Sequence, residues 1–171
     1  KAAVNMGVKQ TGAGSSYVDL AWDAQLGAGH YHTQFSQDGK NWIDMDNSSS
    51  PSESVYNLTQ GASYYARVVA YKGSHYTGTH VMIGVSETAI VSTKPTEVSG
   101  LTQTAAGVNS VSMSWNASAG AASYVIYGYI NYNWTQIGTS ATNSATITGV
   151  AATTSTRFSV AAVKNVTGGT V

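Results

Sequence analysis

The chain has 171 residues, a formal net charge of zero and only 9% charged side chains, against roughly 25% in an average soluble protein. That leaves too little fixed charge to grip nucleic acid or an anionic lipid surface, and no apolar run approaches the ~20 residues of a membrane span. Cysteine is absent, which excludes thiol catalysis, disulfides and thiolate metal ligation.

The strand signals follow one another with a period of two. Val18, Leu20 and Trp22 fall on one face of a first strand. Tyr31, Thr33 and Phe35 alternate with His32 and Gln34, and Gln37-Asp38-Gly39-Lys40 then supplies a turn before Trp42. Asp44 and Asp46 charge a strand placed at a sheet edge, where they discourage edge-to-edge pairing. Leu58, Tyr64 and the alternating Ala66-Arg67-Val68-Val69-Ala70 follow, then a long loop to about His80, and a last strand from Val81 to Val91. Nothing of useful length repeats at 3.6, so no helix is expected. The 42 Ser and Thr residues agree with strands and turns rather than helices.

The chain then begins again. Gly7-Val8-Lys9-Gln10-Thr11 aligns with Gly100-Leu101-Thr102-Gln103-Thr104 at an offset of 93, which also carries Trp22 onto Trp115 and Tyr31 onto Tyr124. With one residue deleted, Trp42 meets Trp134, Leu58 meets Val150 and Ala70 meets Ala162. A period of this length is a whole small domain. Lys94-Pro95-Thr96 is the natural junction, predicting domains at 1–93 and 94–171. The halves differ in chemistry: all eight acids and all four histidines precede Val98, and only Arg157 and Lys164 carry charge after it. The second half has no side chains for conventional acid–base catalysis.

The order of these strands, the Ser36-x-Asp38-Gly39-x-x-Trp42 hairpin and the Leu58…Tyr64 spacing resembles the fibronectin type III domain. The resemblance implies an all-β protein of two tandem immunoglobulin-like sandwiches. It also implies that Tyr64 forms the corner tethering its strand to the preceding loop. The second copy resembles the family through Ser114-Trp115-Asn116, Tyr124-Val125-Ile126-Tyr127 and Ile147-Thr148-Gly149-Val150, but has Thr156 where the corner tyrosine stands. It is therefore expected to be the less stable copy. The offset places its last strand beyond Val171, so that strand is expected to be missing. The open edge would be closed by residues further along a longer chain, or by strand exchange with a second molecule.

Two groups of residues bear on function. His30 and His32 share a strand face, and the loop carrying His75 and His80 returns to the same end, so the four imidazoles are candidates for a metal cluster. The competing reading, adopted here, is four solvated histidines with no metal and no cofactor. Tyr127, Tyr129, Tyr132 and Trp134 crowd one hairpin and suit sugar stacking or protein contact. Against this, Trp134 packs inward, as expected for Trp42, and the tyrosines merely decorate a turn. Five Asn-x-Ser/Thr sequons, at Asn47, Asn57, Asn116, Asn133 and Asn165, permit glycosylation. No catalytic residue is assigned. The expected function is a non-catalytic spacer or adhesion module of a secreted or cell-surface protein, meeting neighbouring domains and a protein or polysaccharide surface. The alternatives are a carbohydrate-binding accessory module and a structural subunit of a surface layer, filament or virion.

Overall fold

The computed structural model describes residues 3–78, 80–150 and 156–171. Two compact units account for the chain: Lys1–Lys94 with Asn165–Val171, and Pro95–Lys164. The last seven residues, assigned from the sequence to the second domain, therefore group with the first.

In the first unit β1 (Lys9–Ala13), β2 (Val18–Ala21), β3 (His30–Ser36), β4 (Ile43–Ser48), β5 (Ser52–Val55), β6 (Ser63–Lys72), β7 (Val81–Val85) and β8 (Ala89–Ser92) form two antiparallel sheets. One has the order β1-β2-β5; in the other β4-β3-β6 continues into β7, and β8 also pairs with β6. This is a two-layer antiparallel β-sandwich, the architecture expected from the sequence. Alternation sends Val18, Leu20 and Trp22 from one sheet, and Tyr31, Phe35, Ala66, Val68 and Ala70 from the other, into a common core. The last strand is broken at Ser86, whose Oγ accepts the Val68 N–H at 2.8 Å while its own N–H donates to the Val68 carbonyl. Asp44 and Asp46 lie on β4, an edge strand. Trp42 departs from the expectation that it packs inward. It is half-buried with the Arg67 guanidinium 4.0 Å from its ring centre, because Arg67 alternates with the buried Ala66 and Val68 and so faces outward.

The second unit repeats the frame with β9 (Thr102–Ala106), β10 (Ser110–Ser114), β11 (Ser123–Ile130), β12 (Asn133–Ser140), β13 (Ser144–Thr148) and β14 (Phe158–Val163). Its sheets have the orders β13-β10-β9 and β12-β11-β14. Among the described residues, no strand pairs the far edge of β14. Gly168 and Gly169 do serve a tight turn, but between β15 (Asn165–Val166) and β16 (Gly169–Thr170), which pair with each other. Among the described residues there is no α-helix, and the only helical turn is a 3-10 turn at His75–Thr77.

The shared frame is visible in its hydrogen bonds. In the first unit Trp22 and Tyr31 meet edge to face at 5.4 Å and 67°, and the Tyr31 hydroxyl accepts the Gln25 N–H at 3.0 Å. In the second, Trp115 and Tyr124 meet at 5.3 Å and 67°, and the Tyr124 hydroxyl accepts the Ser118 N–H at 3.0 Å. Each ring fills the core while its hydroxyl holds a loop amide, part-buried at Gln25 and buried at Ser118. The corner is present in the first unit only: the Tyr64 hydroxyl accepts the Thr59 N–H at 3.0 Å. At the corresponding place Thr156 has no ring to bury.

The two sheets of the first unit are joined along one seam by side chains. Gln10 Oε1 accepts the Ser92 N–H and its Nε2 donates to the Ser92 carbonyl, both at 2.8 Å. The Glu87 carboxylate accepts the N–H groups of Met6 at 3.0 Å and Val8 at 3.1 Å. Beside them the Gln10 N–H donates to the Thr167 carbonyl, the Thr167 N–H donates to the Ile90 carbonyl, and the Ile90 N–H donates to Thr167 Oγ1.

Burial pushes the Glu87 carboxyl up, but the backbone N–H bonds from Met6, Glu87 itself, Val8 and Gly7 outweigh it and hold the pKa below its ordinary value of 4.5. A depressed carboxylate stabilises the fold at pH above that ordinary value and loses its contribution as pH falls through the lower folded one. Glu87→Gln is therefore expected to melt below the parent at neutral pH and to converge with it on acidification. Melting curves across that range check this; a constant gap between the two proteins contradicts it.

Candidate functional site

The four histidines converge at one end of the first unit. His30 and His32 stand on the outer face of β3, paired across the sheet with Tyr71 and Val69 of β6. Only 3% of His30 is exposed, so the solvated reading fails for it. The Tyr71 ring stacks on His30 at 5.1 Å and 9°. His75 enters from the 3-10 turn, which Ser74 caps by accepting the Tyr76 N–H at 3.2 Å. His80 closes the group, its ring 5.3 Å from His30 and 4.9 Å from Tyr71. One ligand nitrogen from each of His30, His32 and His75 lies within 4.8 Å of the other two.

Two glycines permit this approach. The Gly29 N–H donates to the Tyr71 carbonyl at 2.8 Å, and a Cβ on Gly29 would run into the Gly73 carbonyl oxygen. Gly73 itself has φ 94°, which side chains with a Cβ rarely adopt. That same Gly73 carbonyl lies 3.0 Å from His30 Nδ1. A carbonyl can only accept, so Nδ1 carries a proton, and in the neutral imidazole the lone pair falls on Nε2. His30 Nε2 and His32 Nε2 are both buried and without a hydrogen-bond partner.

His32 titrates below the ordinary histidine value. Burial is the main cause, opposed by the Asp44 carboxylate and reinforced by repulsion from His30, His75 and His80. Burial likewise raises the Tyr71 phenol, with Asp44 adding to it. The site thus holds His32 neutral at neutral pH, the form that ligates metals. Zinc, copper and nickel suit such nitrogen donors; calcium and magnesium prefer oxygens.

The aromatic hairpin lies on β11 and β12 of the second unit. Tyr127 is half-buried and pairs with Gln136, while Tyr129 faces Trp134 across the ladder. Tyr129 is 37% exposed, Trp134 46% and Tyr132 94%. Trp134 therefore does not pack inward. Its ring meets Tyr129 at 5.3 Å and 60°, so the pair is tilted rather than coplanar. Asn131 and Tyr132 form the two-residue turn, with φ 50° and 63°. That is a turn of the type that favours Asn-Gly, and Tyr132 occupies the glycine position.

Tyr71, which the sequence analysis did not single out, also belongs to the histidine group. The glycine Gly29, directly before His30, is the signal that a close backbone approach is needed there.

No family model matches the sequence, and no curated protein matches it. Among solved structures the chain is similar to the FN1–FN3 domains of chicken CNTN1, at 13% identity and a TM-score of 0.48 over 98% of this chain and 64% of that one. It is similar to the central fibronectin-III array of RIM-binding protein, at 15% identity and a TM-score of 0.36 over 92% of this chain and 61% of that one. A two-domain fibronectin type III segment from chicken tenascin gives 16% identity and a TM-score of 0.38, over 91% of this chain and 97% of that one. The chain thus spans less than two thirds of the first two structures.

Proposed function

We propose that the chain is a non-catalytic module of a larger secreted or cell-surface protein, a spacer or adhesion segment that holds neighbouring domains. The observation that carries this reading is what the two units share. Both repeat the Trp–Tyr pair, the loop-holding hydroxyl and the strand order, whereas the second holds no Asp or His and a single Glu, Glu97, just past the junction. What was duplicated is scaffold, not chemistry. The Ser/Thr-rich, weakly charged surface supports the same reading. A panel of glycoside, ester and peptide substrates is expected to show no turnover above buffer; a rate abolished by one point substitution overturns the proposal.

One observation favours a second reading, a carbohydrate-binding accessory module. Tyr132 holds a left-handed backbone at a tip where glycine is favoured, and presents nearly its whole ring to solvent beside Tyr129 and Trp134. Backbone strain of this kind persists where it serves a task. Retention of the chain on insoluble polysaccharide, weakened in Tyr132→Ala, is the result this reading expects; no retention of the parent chain rejects it.

A further inference from the structure

We propose that His30, His32 and His75 bind one divalent first-row transition ion of the zinc and copper class through their imidazole nitrogens, with His80 beside the fourth position.

The three ligand nitrogens lie within 4.8 Å of one another, against about 3.4 Å between neighbouring ligands of a tetrahedral site with bonds of roughly 2.1 Å. His75, exposed on its short turn, is the ligand that would move inward to close that gap. The buried ligand is already prepared. The Gly73 carbonyl occupies Nδ1 of His30 at 3.0 Å, which leaves the buried, unpartnered Nε2 as its nitrogen for an ion. An outer hydrogen bond that fixes tautomer and ring orientation is a recurring feature of metal-bound histidine. His32 Nε2 is a second buried nitrogen left without a partner.

The repeat sharpens the argument. At the offset of 93, Ser123 and Val125 stand where His30 and His32 stand, flanking the same core tyrosine. The frame therefore does not need imidazoles at these positions. They are an addition to one copy, joined by Gly29 and Gly73, which let the two loops touch. A bound ion would tie β3 to the connection between β6 and β7.

The test uses the whole chain, stripped with EDTA, dialysed and titrated with zinc chloride by calorimetry. The expected result is one equivalent bound at micromolar or tighter affinity, with a rise in the melting temperature of the first unit that EDTA reverses, since an ion bound only to the native state stabilises it. His75→Ala, on the exposed turn, keeps the fold and is expected to weaken zinc by at least about tenfold. Long-range nitrogen–proton NMR spectra should show Nε2 of His30 shifting on addition of zinc. Millimolar affinity, several weak equivalents without a melting shift, or a His75→Ala protein that binds like the parent would each overturn the proposal.

Discussion

Replacing Trp115 by alanine is expected to unfold the second unit while the first stays folded. Removing a buried tryptophan costs about 3–5 kcal/mol through lost burial and the cavity left behind. A unit of this size holds only about 4–10 kcal/mol in total. Its buried hydrophobic cluster, among the described residues, is Met113, Trp115, Tyr124, Ile126 and Ile147. Trp115 is the largest of these, and it also supports Tyr124, whose hydroxyl holds the Ser118 N–H. The matching change, Trp22→Ala, acts on a cluster of fifteen buried residues and should leave its unit destabilised but folded. Amide NMR spectra separate the two outcomes, because loss of signals confined to 95–164 is the expected pattern for Trp115→Ala. A cooperative native spectrum for that variant contradicts the argument.

The second large effect is expected at Gln10. Its side-chain amide exchanges two hydrogen bonds with the backbone of Ser92 and donates a third to the Gly12 carbonyl, so it acts as one residue of a strand between two sheet edges. Gln10→Ala leaves the fully buried Ser92 with an unsatisfied N–H and carbonyl, each worth about 1–3 kcal/mol when stranded. A loss of about 2–4 kcal/mol is expected on that basis. The repeat supplies a control. Gln103 occupies the same place in the second unit but is exposed, and among the described residues its strand β9 pairs with β10 alone, leaving no strand on its outer edge to bridge. Gln103→Ala should therefore change stability by no more than about 0.5 kcal/mol. Urea unfolding of the two variants measures the difference, and equal effects would show that the Gln10 bridge contributes nothing.

Much of this architecture is legible in the sequence because it is written locally. Alternation at Val18-x-Leu20-x-Trp22 and at Tyr31-x-Thr33-x-Phe35 marks strands without knowledge of their partners. The 93-residue offset exposes the duplication, and with it the strand order of both units. The convergence of the histidines follows from topology, since β3 and the connection after β6 meet at one end of the sandwich. What is not legible depends on contacts with no local pattern. Gln10 and Ser92 are 82 residues apart, and Met6 and Glu87 are 81. A period of two cannot say that Trp42 lies under Arg67 on the outer face, nor that Tyr129 and Trp134 tilt by 60°. The placement of 165–171 with the first unit rests on Thr167 meeting Gln10 and Ile90, and no spacing or composition announces that.

The position of Thr167 in that seam sets an order of events during synthesis. Its bond with Ile90 joins residues 77 apart, and a ribosome adding about 5–20 residues per second needs roughly 4–15 s to cover that distance. A small sandwich condenses within milliseconds to seconds. The eight strands of the first unit thus assemble while the remainder of the chain is still being made, with the outer edge of β8 and the exposed Ile90 uncovered until Asn165–Val171 emerges. During that interval the nascent chain offers a strand edge to any neighbour on the same messenger. Sequence changes that slow translation between Ser92 and Thr167 lengthen the exposure without altering a single contact in the finished fold.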